Sequence, residues 1–222
     1  MRNRNVQPVL VQAGSRGLFL NAAEVTFSDE VQSKILSIAS ELDAHKFVEE
    51  VVPGVNTLLV VYDSLITPKN CLADLILELW LKAKVHQREV RTYEVPVVYG
   101  GSHGEDLRFV AEHAGLDIEQ YIALHAESEF RVACVGAMPG FPYLTGLNPQ
   151  LAVPRRSVPR VSLPGGAITI GGTHAGITPC TAPSGWHVIG TTTLSLFDAS
   201  KEQPALLQPG DRIKFIVAGI EV

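Results

Sequence analysis

The 222-residue sequence predicts an α+β chain of two units: an antiparallel sheet covered by helices over residues 1–95, then an all-β barrel or sandwich over residues 96–222. Three observations carry that expectation. Apolar residues recur at helical spacing in two segments of the first half. Beyond Phe130 that spacing vanishes, and short β-type runs alternate with Pro- and Gly-rich turns. Hydrophobic residues make up 46% of the chain and charged ones 18%, which supplies a core and argues against disorder.

In the first half, residues 9–12 and 18–20 are short apolar pieces separated by Ala13-Gly14-Ser15, a hairpin signature. Ser28 ahead of Asp29 and Glu30 is a good N-cap, with acids at the positive end of the helix dipole. Val31, Ile35, Ile38 and Leu42 then form one apolar stripe. Residues 47–52 and 57–62 read as strands around a Pro53-Gly54 turn. A second helix opens at Thr67-Pro68, its buried face formed by Leu72, Leu75, Ile76, Leu79 and Ala83. Residues 90–98 read as a strand again. Hairpin, helix, two strands, helix, strand is the order of a ferredoxin-like α/β plait, with the unit boundary expected near residues 95–101.

The second half opens with two short helices around residues 107–113 and 118–125. Gly115 ends the first, and Asp117 with Gln120 makes a capping box for the second. Five β-type runs follow, at residues 131–135, 167–170, 187–189, 193–197 and 212–217.

Several function classes are disfavoured at once. Eighteen Lys+Arg against 23 Asp+Glu give a formal net charge of −5, which does not suit a nucleic-acid footprint. No apolar run approaches the roughly 20 residues that span a bilayer, and Met1 to Pro8 is polar, so a cytoplasmic protein is expected. Cys71, Cys134 and Cys180 are odd in number and far apart, forming neither a metal knuckle nor a disulfide framework. Phosphate-loop, dinucleotide, HExxH and GxSxG signatures are all absent. No metal site is expected.

The chemistry concentrates between Met138 and Thr192. Pro139-Gly140-Phe141-Pro142-Tyr143, Pro154-Arg155-Arg156, Pro159-Arg160, Gly171-Gly172-Thr173-His174-Ala175-Gly176 and Gly185-Trp186 crowd glycine, proline, arginine and aromatics together. Such turns permit close approach of backbone to a ligand or simply round barrel corners. Arg155, Arg156 and Arg160 offer planar donor forks to a carboxylate or phosphate, or lie in solvent. His174, flanked by small residues, suits a neutral-pH donor or general acid/base, or a plain surface position. Phe141 and Trp186 wall a pocket or fill the core. His113 and His125, near helix C-termini where a cation would suit the dipole, read as capping or packing residues, Cys134 as core, and Cys180 as exposed with no partner for a nucleophile.

These motifs, with Gly176-Ile177-x-Pro179, Gly185-Trp186-x-x-Ile189-Gly190, Leu196-Phe197-Asp198, Pro209-Gly210-Asp211-Arg212, Asp106-Leu107, Leu124-His125 and Val52-Pro53-Gly54, resemble the B subunit of the bacterial ATP-dependent 5-oxoprolinase, also called allophanate hydrolase subunit 1. That family includes a sporulation-kinase inhibitor and is related to the carboxyltransferase part of urea carboxylase. The resemblance spans nearly the whole chain. It implies an N-terminal plait and a C-terminal cyclophilin-like β-barrel. It also implies a hydrolase complex with two partners, the larger, carboxyltransferase-like C subunit of 5-oxoprolinase and its A subunit. That complex uses ATP as co-substrate to open 5-oxo-L-proline to L-glutamate, the lone chain being inactive. The alternatives it implies are a histidine-kinase inhibitor or a carboxyltransferase component of a urea carboxylase. His174 and Arg160 are the expected catalytic residues; Gly140, Phe141, Tyr143, Arg156, Gly172, Gly176 and Trp186 are the expected substrate-binding set. Four positions depart from the commoner family residues: His174 for Gln, Thr178 for Tyr, Ser162 for Arg and Ser184 for Gly.

Overall fold

The computed structural model describes residues 7–24, 27–83 and 90–221, and the chain divides into two compact units, Met1–Glu89 and Val90–Val222. The first unit holds β1 (Val9–Ala13), β2 (Gly17–Asn21), α1 (Asp29–Leu42), β3 (Val48–Pro53), β4 (Thr57–Tyr62) and α2 (Lys69–Lys82). Its strands form one antiparallel sheet in the order β1-β2-β4-β3. The apolar stripe of α1 is buried as its spacing requires, and the Ser28 side chain accepts from the Val31 N–H at 3.3 Å. Leu72, Ile76 and Trp80 are the buried residues of α2, with Leu75, Leu79 and Ala83 packed partly buried beside them. Pro68 takes the N-cap of α2 rather than its first helical position.

Residues 90–98, expected to complete the plait, do not join this sheet. From Thr92 on they fall in β5 (Thr92–Gly100), a strand of the second unit, so the division lies before Val90 and not near residues 95–101. The physical reason lies in β5 itself: Val95, Val97 and Tyr99 are fully buried in the core of the second unit, on one face of an alternating strand.

That second unit continues with α3 (Leu107–Ala114), α4 (Ile118–Glu127), β6 (Phe130–Val135), β7 (Pro142–Thr145), β8 (Arg160–Leu163), β9 (Ala167–Gly171), β10 (His174–Ile177), β11 (Ala182–Ser184), β12 (His187–Thr191) and β13 (Arg212–Glu221). Seven strands close into a barrel in the order β10-β7-β6-β13-β5-β12-β9, with β8 and β11 forming a separate two-stranded ribbon. The β5–β13 pairing is parallel and the other barrel pairings are antiparallel. One core cluster joins inward residues of the barrel strands, among them Val132, Leu144, Ile168, Ile170, Ile189 and Phe215, to Leu107, Val110, Tyr121 and Ile122 of the two helices. The capping box at Asp117 and Gln120 forms as expected.

One expectation fails instructively. Residues 193–197 form no barrel strand. Leu196 is buried and Leu194 packs beside it in the core, while the backbone bonds locally, Leu206 N–H donating to the Leu196 carbonyl at 2.9 Å. Of the two roles open to His125 from sequence, capping or packing, the structure shows packing. Its side chain is wholly buried against Phe215 and Phe130, Nδ1 lies 2.8 Å from the Tyr99 hydroxyl, and burial pushes its pKa down to about 3.

Candidate functional site

The chemistry-bearing residues gather in two places on the second unit. The first is the outward face of β7, β10 and β9. Leu144, Ala175, Ile177, Ile168 and Ile170 belong to the core. Strand alternation therefore turns Tyr143, His174, Gly176 and Gly171 away from it. Three rings stand on that face edge-to-face: Phe141 and Tyr143 at 5.1 Å between centroids, Phe141 and Trp186 at 5.6 Å, Tyr143 and Trp186 at 5.8 Å. They lie flat on backbone because two positions lack a side chain. A Cβ on Gly176 would come 2.6 Å from Phe141 Cζ, and one on Gly171 2.5 Å from Trp186 Cδ2.

Glycine in a strand is thus the device that builds this wall. Gly176→Ala should cost about 1–3 kcal/mol by overpacking, with a shift in Trp186 fluorescence as the rings move. Urea unfolding checks it; a variant with wild-type stability and emission would show that the wall yields freely.

His174 opens β10 beside this wall. Its Nε2 is buried without a hydrogen-bond partner, and Nδ1 lies 3.4 Å from Thr173 Oγ1. Burial, and then the positive charge of Arg155, hold its pKa below the ordinary imidazole value, so the ring is neutral at pH 7. The Arg155 guanidinium stands 5.7 Å from the centre of the Trp186 ring.

The second place is centred on Asp106, at the head of α3. This carboxylate occupies the N-cap position yet caps nothing, because both oxygens are engaged elsewhere. Oδ1 accepts from Arg156 Nη1 and from Arg160 Nη2, each at 2.9 Å; Oδ2 accepts from the Val188 N–H at 2.8 Å and lies 2.9 Å from Arg160 Nη1. Glu105 takes Arg160 Nε at 2.8 Å. Burial pushes the Asp106 carboxyl up, but the Arg160 and Val188 hydrogen bonds with the charges of Arg160 and Arg156 outweigh it and hold the group below the usual carboxylate range. His187 lies alongside, its Nε2 donating to the Pro154 carbonyl at 3.0 Å and its Nδ1 3.7 Å from Asp106 Oδ2. Next to this network a cleft of about 510 Å³ is lined by Phe109, His113, Arg155, Arg156, Val158 and His187, with Phe109 stacked on His187 at 5.1 Å.

Of the residues expected from sequence, Phe141, Tyr143, Trp186, Gly176 and His174 come together. Arg156 and Arg160 do not join them as free anion clamps; their forks are engaged by Asp106 and Glu105. Gly140 and Gly172 are turn positions with φ of 83° and 65°. Gly140 packs on Leu196 and Phe197, and Gly172 exchanges two backbone hydrogen bonds with Val153. Thr178 is also structural, its buried hydroxyl bonding the Ala167 N–H and the Pro164 carbonyl. Sequence reasoning missed Asp106, Glu105, His187 and Phe109 as parts of a site. The usable signal was an acid pair, Glu105-Asp106, opening a helix in a chain that places Arg155, Arg156 and Arg160 in one proline-rich segment. Among the described residues no group of His, Cys, Asp and Glu side chains is placed to hold a metal ion, and no helix is long and apolar enough to cross a membrane.

Comparison with known proteins gives the chain its relatives. It is 42% identical over 188 residues to the 5-oxoprolinase B subunit of Escherichia coli O157:H7, covering 83% of this chain and 85% of that protein. Among solved structures, TTHA0988 superposes with a TM-score of 0.79 at 34% identity over 91% of this chain, which spans 40% of the length of that one. The Kluyveromyces lactis urea carboxylase superposes at 0.80 over 97% of this chain and 22% of its own, but at 17% identity, a likeness of fold alone. The family described as carboxyltransferase domain, subdomain C and D, matches residues 8–207, and the chain belongs to it.

Proposed function

We propose that the chain is the B subunit of an ATP-dependent 5-oxoprolinase complex that converts 5-oxo-L-proline to L-glutamate, a cytoplasmic assembly completed by the C and A subunits. The observation that carries this reading is the 42% identity, over most of both chains, to a protein named as the B subunit of 5-oxoprolinase. The two-unit architecture supports it too. The first sheet reads as a ferredoxin-like plait whose edge strand is the N-terminal β1, and the barrel as cyclophilin-like, over the domains expected from sequence with their border moved to Val90.

The chemistry fits the site. A lactam carbonyl is unreactive toward water. Transfer of the terminal phosphoryl of ATP to its oxygen makes the carbon electrophilic; water adds there, and the ring C–N bond breaks as the nitrogen takes a proton to become the amino group. A second water then hydrolyses the acyl phosphate left behind, releasing phosphate and the side-chain carboxylate of glutamate. The half-buried Tyr143, backed by the buried rings of Phe141 and Trp186, suits the apolar ring, and the neutral His174 suits a proton acceptor or donor at the edge of that cluster. Arg156 and Arg160, bound to Asp106, hold the segment that carries Arg155. The chain lacks a phosphate loop, so we assign ATP binding to the assembled complex.

The expected result is no 5-oxoproline-dependent ATP hydrolysis or glutamate release by the purified chain, and both activities when the C and A subunits are added. Full turnover by the chain alone would overturn the assembly part of this reading. Silence from the complete set would overturn the reaction.

A further inference from the structure

We infer that Arg155 is the specificity-determining residue that takes the substrate's carboxylate, a role that Arg160 cannot fill while its own charge is neutralised. The inference rests on the lactam reading above and names the group that would tell 5-oxoproline from a plain lactam.

Three arginines lie between Pro154 and Val161. Arg156 and Arg160 are held 2.9 Å from the same carboxylate, and Arg160 is also bound by Glu105. An incoming anion would have to displace those acids. Arg155 differs: its side chain is exposed, and among the described residues no acid lies within ion-pair distance of it. A cation without an acid partner is the one that a ligand carboxylate can pair with at no cost in displaced partners.

Position makes the same choice. The guanidinium rests over Trp186, which narrows its rotamers and presents the planar fork ready-made. It lines the cleft of about 510 Å³ beside α3, which leaves the anion room. It is also the charge that acts on His174. Arg155 therefore joins the aromatic wall, the neutral imidazole and the cleft, and no other arginine of the segment does. A five-membered lactam acid needs that combination: an apolar ring to lie on the wall and a carboxylate to meet the fork.

The test compares binding of 5-oxoproline with that of 2-pyrrolidinone, the same ring without the carboxylate, by calorimetry on the complex assembled with the C and A subunits. The wild type should prefer 5-oxoproline by about tenfold or more, since a site built to pair a polar group discriminates strongly against the analogue lacking it. Arg155→Ala should lose most of that preference while binding 2-pyrrolidinone as the wild type does. Arg155→Lys, which keeps the charge and loses the fork, should fall between. Thermal midpoints of both variants should match the wild type, because the side chain is exposed and makes no ion pair. Retention of the full preference by Arg155→Ala would overturn the assignment and leave the lactam reading standing. A wild-type complex that binds neither compound would overturn both.

Discussion

Asp106→Ala is expected to cost about 3–5 kcal/mol of folding stability, because it takes the acid partner from Arg156, leaves Arg160 with the exposed Glu105 alone and strips a backbone N–H of its acceptor. Asp106 is 6% exposed and the Arg160 side chain 14%, so water reaches neither partner well enough to replace the lost bonds. The Val188 N–H loses its acceptor on Oδ2. Urea unfolding measures the loss. Arg160→Ala should also destabilise, and the double variant should lose less than the two single losses added, since removing both charges leaves less unpaired charge than removing either. Its two acidic partners, Glu105 and Asp106, make Arg160 a structural strut. Additive losses in the cycle, or an Asp106→Ala protein within about 1 kcal/mol of wild type, would show that the arginines resolvate freely.

The same carboxylate sets an acid limb. Its folded pKa lies below the unfolded value of about 4. The stability it contributes is therefore complete above that unfolded value and lost as the pH falls through the folded one. Asp106→Ala should flatten this part of the acid-unfolding profile.

Why Asp106 was hard to find in the sequence is a matter of distance along the chain. It meets Arg156 and Arg160 across 50 and 54 residues, and no local period encodes such a pairing. What is encoded locally was legible. The stripe Val31, Ile35, Ile38, Leu42 lies on one face of α1, and the Asp117–Gln120 box needs only its own turn of helix. The strands β7, β8 and β10 were not legible because glycine and proline mark turns in most sequences. Here Gly176 sits inside a strand, opposite Tyr143, so that Phe141 can lie on its backbone. Residues 193–197 show the converse: alternating apolar residues read as a strand, yet their Leu side chains were spent on the core. The aromatic half of the site was visible in composition, whereas the division of labour among three neighbouring arginines required the positions of the acids.

His174→Ala is expected to lower kcat/KM of the assembled complex by about 100-fold or more, the scale of a positioned proton-transfer group. The fold should survive it, since the ring's Nε2 has no partner in the structure to be left unpaired and Nδ1 has only an exposed threonine hydroxyl. His174→Gln separates the two roles open to a neutral imidazole. Glutamine keeps a hydrogen-bonding group and cannot move a proton, so recovery to within about tenfold of wild type would assign hydrogen bonding, and no recovery would assign acid/base work. The pH profile supplies the independent reading. Burial and the Arg155 charge both disfavour the imidazolium, so the folded pKa lies below about 6.5 and the ring stays neutral through the physiological range. Activity that depends on the neutral ring should be flat there and fall only on the acid side. Removing the Arg155 charge should move that limb to higher pH, and His174→Gln should abolish it. A wild-type rate in His174→Ala, or an acid limb unchanged in both variants, would take His174 out of the reaction.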